Sequence, residues 1–76
     1  MNNTRRKALR GLLEQLEDLR DQVQEYLDEE EEYRDNMPEN LQNSERYEAA
    51  EQAADSLASA VDDIENAICG IEEAIE

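Results

Sequence analysis

The sequence contains no histidine, tryptophan or phenylalanine, and its 76 residues include only one cysteine, one proline and two glycines. Without histidine, the commonest side chain for acid–base catalysis near neutral pH is missing. So little glycine and proline argues against collagen-like chains, flexible linkers and turn-rich β-sandwiches. No apolar run approaches the roughly 18 residues that a membrane span needs. A chain of this length forms one domain at most and is too short to enclose an active site.

Basic residues are also few, and they are unevenly placed. The chain has 7 Lys and Arg against 22 Asp and Glu, which gives a net charge of −15. Four of the seven lie within residues 1–10, where there is no acid, and none follows Arg46. Because so acidic a chain repels nucleic acid and anionic lipid, we expect no direct binding to nucleic acid or membranes, and we expect any electrostatic partner to be a basic protein surface.

The single Cys69 cannot form an intramolecular disulfide, which agrees with a reducing compartment. The basic N-terminal residues are followed by an amphipathic pattern and not by the apolar stretch of a signal peptide. We therefore expect a cytoplasmic protein.

Apolar residues recur at alternating spacings of three and four residues in two segments. The first segment is interrupted only by Glu30 and consists of Leu9, Leu12, Leu16, Leu19, Val23, Tyr26, Tyr33 and Met37. The second is uninterrupted and consists of Tyr47, Ala50, Ala54, Leu57, Val61, Ile64, Ile68, Ile71 and Ile75. This heptad spacing is typical of coiled-coil helices and differs from the period of two of a strand. It predicts an all-α protein with helix 1 over about residues 4–35 and helix 2 over about residues 45–75.

The segment of about residues 36–44 holds the only proline and a cluster of Asn and Ser, so it is the predicted loop. Pro38 can open a short helical turn, and Ser44 can cap the second helix. Positions of the two seams that add up to 84, such as Val23 and Val61, lie opposite each other if the arms zip together from the loop. Residues 1–76 are therefore expected to form one antiparallel two-helix coiled-coil hairpin.

Further apolar residues flank each seam. A two-helix hairpin needs only the seam itself, and a broader apolar stripe is typical of contacts with additional helices. We therefore expect two hairpins to form a homodimer, a four-helix bundle. The residues assigned to self-association are Leu13, Leu27, Ala53, Ala60, Ala67 and Ala74. The alternative for the alanines is that they are good helix formers on an exposed face.

The densest acidic run extends from Asp28 to Asp35 and predicts a contact with a basic partner. The residues assigned to partner binding are Asp28, Glu29, Glu31, Glu32, Asp35, Asp62, Asp63 and Glu65. The alternative is a solvated helix end. We expect neither a metal nor a cofactor, because carboxylates on one helix point outwards and do not surround a cation. Glu30 falls in the seam, where its stem can cover Ala54.

No catalytic residue is predicted, since Cys69 has no histidine to act as its general base. Tyr26, Tyr33 and Tyr47 are interpreted as core residues near the loop, with an aromatic hot spot as the alternative. In an antiparallel hairpin the cations of residues 5–10 are expected to lie beside Glu72, Glu73 and Glu76 and to pair with them weakly.

The segment of residues 33–48, with the sequence Tyr33-Arg-Asp-Asn-Met-Pro-Glu-Asn-Leu-Gln-Asn-Ser-Glu-Arg-Tyr-Glu48, resembles a group of short acidic helical-hairpin proteins encoded by phages, prophages and mobile elements of Gram-positive bacteria. The resemblance implies a phage or mobile-element origin. It also implies that blocking host defence or nucleic-acid enzymes is one known role of such small acidic proteins. It assigns no functional residue.

Two functions follow as hypotheses. In the first, the chain is a non-enzymatic interaction protein whose residues 11–76, with three basic and 22 acidic side chains and a net charge of −19, bind and block a basic nucleic-acid-binding surface of a host protein. In the second, it is a homo-oligomeric structural or scaffold protein of a phage or bacterium, and its charge provides solubility.

Overall fold

The computed structural model describes all 76 residues and contains two long helices and no strand. Helix α1 spans Asn3–Asp35, a single 3₁₀ turn spans Glu39–Leu41, and helix α2 spans Glu45–Ile75. The two helices pack against each other and form a rod of 59 × 15 × 13 Å. The predicted all-α class and the helical hairpin are confirmed.

Side-chain caps mark where the helices begin. The Oδ1 atom of Asn2 accepts a hydrogen bond from the backbone N–H of Arg5 at 2.8 Å, which satisfies one free donor of the first turn of α1. Ser44 does the same for α2, as the sequence predicts, because its Oγ accepts from the backbone N–H of Tyr47 at 3.3 Å. Between the helices the N–H of Leu41 donates to the carbonyl of Pro38 at 2.9 Å, so the predicted short turn is also present.

The predicted seam of α2 is confirmed along its whole length, since every one of its nine positions is buried or half-buried. The most buried are Ala50 and Ala54, which are 2% and 3% exposed, followed by Ile68 and Val61. Because the alanines near the loop are so small and so completely covered, the helices approach each other closely there.

One of the two predicted columns of the α1 seam is confirmed. Its column of positions 9, 16, 23, 30 and 37 faces α2, with Met37 buried and the other four half-buried. The other predicted column is exposed, and it consists of Leu12, Leu19, Tyr26 and Tyr33. Its place is taken by the column one residue later, which consists of Arg6, Leu13, Arg20, Leu27 and Arg34 and is buried or half-buried throughout. Leu13 and Leu27, which the sequence assigned to self-association, therefore belong to the core of the single chain.

Side-chain size explains this rotation of α1. A tyrosine ring does not fit between helices that approach closely over Ala50 and Ala54, whereas Leu27 does, and it is 6% exposed. The arginines that alternate with Leu13 and Leu27 lay their aliphatic stems over the seam and keep their charged heads at its edge. The side chains of Arg20 and Arg34 accordingly remain 31% and 22% exposed.

The core cluster supports the predicted register. Leu27, Ala54 and Val61 form this cluster, and the half-buried Val23, Leu57 and Ala58 pack against it. Two pairs of positions in it, 23 with 61 and 27 with 57, add up to 84. Glu30 is half-buried, as expected for a stem that covers Ala54.

The rotation of α1 predicts different effects for two leucines of the same helix. In dilute solution, Leu27→Ala should lower the free energy of unfolding by about 2 kcal/mol or more, because it opens a cavity in the core. The matched control, Leu19→Ala, should change it by less than about 0.5 kcal/mol, because Leu19 is 51% exposed. Urea unfolding followed by circular dichroism measures both values, and a larger loss for Leu19→Ala would place the exposed column back in the seam.

Candidate interaction surfaces

The eight acidic residues assigned to partner binding are accessible. Seven are exposed and Glu31 is half-buried. One of them, Asp28, accepts a hydrogen bond from Nε2 of Gln24 at 2.9 Å, and Asp35 is held by Arg34. The remaining six have no hydrogen-bond partner within the chain, so their carboxylates are free to meet a cationic surface.

Few carboxylates are neutralised inside the molecule. Only two ion pairs are present, between Arg20 Nε and Asp21 Oδ1 at 3.2 Å and between Arg34 Nε and Asp35 Oδ1 at 2.9 Å. Each joins residues adjacent in sequence and therefore does not link the two helices. The other acidic side chains have no cationic side chain within 4 Å, and the negative charge of the rod is carried by its surface.

The predicted partner residues form two clusters and not one. Residues 28–35 lie on α1 near the loop, and residues 62–65 lie on α2. In the observed register, residue 32 of α1 is level with residue 52 of α2, so the centres of the clusters are about 16 Å apart along the rod at 1.5 Å per residue. A partner that contacts both must extend along the rod.

The cations near the N-terminus do not pair as expected. Arg5, Lys7 and Arg10 are exposed, Arg6 is half-buried, and none of them forms an ion pair with the acids at the end of α2. Nη1 of Arg6 instead donates to Oδ1 of Asn3 at 3.2 Å. The expected pairing across the chain ends is wrong, and this end of the rod presents free positive charge.

Arg34 is the one titratable group whose pKa is clearly displaced. The hydrogen bond from its Nε to Asp35 raises the pKa of Arg34 above its ordinary value, and the charges of Asp35, Tyr47 and Glu31 act in the same direction. Because the pKa of Arg34 is higher in the folded chain, its interaction with Asp35 stabilises the fold at pH values below the ordinary arginine pKa. Deprotonation of Arg34 would remove this stabilisation only in strong alkali. Arg34 is therefore a permanent cation at the loop end of the seam.

An open groove of about 520 Å³ lies at the loop end of the rod. Its lining residues are Glu29, Glu32, Tyr33, Asn36, Met37, Pro38, Leu41 and Arg46. Arg46 is exposed and forms no ion pair, so the groove brings one cation close to two of the predicted partner-binding acids. The sequence did not predict this groove, because it forms only where the chain turns at Pro38 and places the start of α2 beside the end of α1.

A second surface is apolar. Leu12, Leu19, Tyr26 and Tyr33 are 47%, 51%, 64% and 48% exposed, and they recur every seven residues along α1. On α2, Ala53, Ala67 and Ala74 are exposed and Ala60 is half-buried. The sequence contained a signal for the exposed α1 column, namely the regular alternation of Arg and Leu at positions 6, 13, 20, 27 and 34, which is the column that packs against α2.

Three further features are the cysteine, the possible metal ligands and the hydropathy of the helices. Cys69 is a free, exposed thiol. No group of three or more Asp, Glu or Cys side chains is placed so that it could hold a metal ion. Neither helix has a stretch that is long and apolar enough to cross a membrane.

Comparisons of the chain with protein-family models, with curated proteins and with solved structures found no match.

The unpaired carboxylates predict an unusual response of stability to salt and acid. Raising the salt concentration to about 0.5 M should raise the Tm, because the ions screen repulsion between like charges. Lowering the pH from neutral to pH 5 should also keep or increase helicity, because only two carboxylates form ion pairs that a lower pH could weaken. Thermal unfolding followed by circular dichroism measures both effects. A fall in Tm with salt would mean that attractive ion pairs, and not repulsion, dominate the electrostatics of the fold.

Proposed function

We propose that the protein is a non-enzymatic interaction protein whose acidic surface binds and blocks a basic, nucleic-acid-binding surface of another protein. The observation that carries this proposal is the ratio of acids to internal ion pairs. Of the 22 Asp and Glu side chains, only Asp21 and Asp35 are paired within the chain. The other 20 form no ion pair and are free to attract and orient an external cationic surface.

The dimensions of the rod support mimicry of a nucleic acid. A net charge of −15 over 59 Å corresponds to one negative charge per roughly 4 Å, which is close to the spacing of about 3.4 Å along one strand of DNA and is roughly half the charge density of the duplex. A hairpin also keeps its charges in fixed positions, so that a partner does not have to order them on binding.

The partner-binding residues proposed on α1 are Asp28, Glu29, Glu31, Glu32 and Asp35, and those on α2 are Asp62, Asp63 and Glu65. We assign the groove at the loop end to the same contact, since Glu29 and Glu32 line it. Tyr33 and Leu41, which also line it, add apolar area beside the charges. Tyrosine is one of the residue types that are enriched at binding hot spots.

The proposal includes a cellular setting. We propose a phage or mobile-element origin, which the resemblance over residues 33–48 implies, and with it the cytoplasm of a bacterial host as the location and a host defence or nucleic-acid enzyme as the target. We assign no catalytic role, no cofactor and no direct contact with nucleic acid to any residue.

A second candidate function is favoured by a different observation, the exposed apolar column of α1. Leu12, Leu19, Tyr26 and Tyr33 give the hairpin a surface that a solitary acidic rod does not need. A homo-oligomeric structural or scaffold protein would use this surface for assembly into a dimer, and the acidic side chains would then keep the assembly in solution. The two functions share Tyr33, which lines the groove and also belongs to the exposed column, and they otherwise use different residues.

Charge reversal tests the first function. The triple variant Glu29→Lys, Glu31→Lys and Glu32→Lys should lose the partner while the helices persist, because none of these residues is in the buried core. The matched control reverses three exposed acids at the other end of the rod, Glu72→Lys, Glu73→Lys and Glu76→Lys. The measurement is a pull-down from a bacterial lysate, with elution by salt and by duplex DNA.

The proposal expects a protein that wild type and the control retain, that the α1 variant does not retain, and that both salt and duplex DNA release. Release by salt follows from the exposed charges, which are screened beyond about 8 to 10 Å at moderate ionic strength. Equal retention by all three proteins, or retention that duplex DNA does not reverse, would contradict mimicry.

A further inference from the structure

Four apolar columns lie next to one another on the rod. On α1, the exposed column of Leu12, Leu19, Tyr26 and Tyr33 borders the half-buried column of Leu9, Leu16 and Val23. On α2, the column of Ala53, Ala60, Ala67 and Ala74 borders the half-buried column of Leu57, Ile64 and Ile71. We call these four columns together the open face.

The columns of the two helices point to the same side of the hairpin. On both helices the exposed column follows the half-buried column by three residues. Two antiparallel helices are related by a two-fold axis perpendicular to the plane that contains both helix axes. Rotation about this axis exchanges the two helices but not the two faces of the hairpin, so equivalent flanks of the helices lie on the same face. The half-burial of the bordering columns agrees with this geometry, because these columns are covered by the partner helix but not from the open side.

Charge is nearly absent from the open face. None of the residues in its four columns is charged, although the chain contains 22 acids, and Glu30 is the one acid that continues the column of Leu9, Leu16 and Val23 towards the loop. The carboxylates therefore lie on the other sides of the rod, where they do not oppose an approach to this face. In a chain with a net charge of −15, such a neutral apolar surface allows another acidic rod to make contact without strong repulsion.

We infer that the open face binds a second copy of this chain, with the two loops at the same end of the resulting four-helix bundle. The inference rests on the self-association proposed above as the second candidate function. It goes further by naming the face and the orientation, and it replaces Leu13 and Leu27 with the exposed column of α1.

The pattern of large and small side chains selects the orientation. In the register that the core cluster supports, each large residue of α1 lies within about 3 Å along the rod of one alanine of α2, as for Tyr26 with Ala60 and Leu19 with Ala67. A two-fold axis parallel to the rod places α1 of one copy over α2 of the other, so that large side chains meet alanines in every layer. An axis across the rod places α1 over α1, and large side chains then meet each other while gaps remain over the alanines.

The area of the open face is sufficient for a stable dimer. The open face extends over residues 9–33 of α1, which is about 36 Å at 1.5 Å per residue. With the 15 Å width of the rod it covers roughly 540 Å², so two copies together bury roughly 1,080 Å², just above the ~1,000 Å² expected of a specific interface. Tyr26 and Tyr33 lie within it, and aromatic side chains are enriched at the centres of such interfaces.

Sedimentation equilibrium tests the face. The double variant Leu19→Glu and Tyr26→Glu should raise the dissociation constant of the dimer at least about a hundredfold, because it buries two unpaired charges. The matched control, Gln52→Glu and Asn66→Glu, adds the same charge at exposed positions of α2 outside the open face and should leave the dimer intact. Both variants should keep the helicity of wild type, since all four residues are exposed in the single chain.

Distance measurement between spin labels tests the orientation. A label is attached to Asn43→Cys in the loop, in a chain that also carries Cys69→Ser. With both loops at one end, the labels should be within about 25 Å of each other, since neighbouring helices pack at 8 to 10 Å. With loops at opposite ends, the distance should approach the 59 Å length of the rod.

Each outcome decides the inference. The inference is supported if wild type is a dimer, the Leu19→Glu and Tyr26→Glu variant is a monomer, and the distance between the labels is short. A dimer that this variant does not affect, or a distance close to the length of the rod, overturns the inference and leaves self-association in place. A wild type that stays monomeric at all concentrations overturns both and leaves the open face to a different partner.

Discussion

The close contact between α2 and the Leu13 and Leu27 side chains of α1 determines the rest of this structure. Small residues on α2, above all Ala50 and Ala54, bring the helices together and leave space for leucine but not for a tyrosine ring. Tyr26 therefore points away from the seam and is 64% exposed. One packing constraint thus produces both the stable hairpin and its unpartnered apolar face.

The separation of charged from apolar residues gives the two surfaces opposite responses to salt. Self-association brings two rods of net charge −15 together through a neutral face, so screening by salt should favour it. Binding of a basic partner through Glu29, Glu32 and their neighbours depends on attraction, so the same screening should weaken it. Salt concentration therefore shifts the balance between the two activities proposed for one small hairpin, and it distinguishes them in any binding experiment.

The sequence alone predicted the helices and the complete seam of α2, because an uninterrupted apolar column with polar neighbours leaves only one face to bury. It did not predict the rotation of α1, where two columns compete. Leu12, Leu19, Tyr26 and Tyr33 form the more apolar column, but the buried one contains three arginines. A search for apolar periodicity selects the column with the most apolar residues, whereas packing selects the column whose side chains fit the partner helix. The aliphatic stem of an arginine fits beside a small residue of α2 better than a tyrosine ring does. The loop groove was also unpredictable, since it depends on how the chain turns at Pro38.

Hydroxyl-radical footprinting of the three tyrosines shows whether Tyr26 and Tyr33 lie outside the seam of the single hairpin. In dilute protein, Tyr26 and Tyr33 should be oxidised readily, and the half-buried Tyr47 should be oxidised more slowly. At high concentration Tyr26 and Tyr33 should become protected as the open face is covered, while Tyr47 changes little. Protection of Tyr26 and Tyr33 that persists at every dilution, together with oxidation of Leu13 and Leu27, would contradict the account.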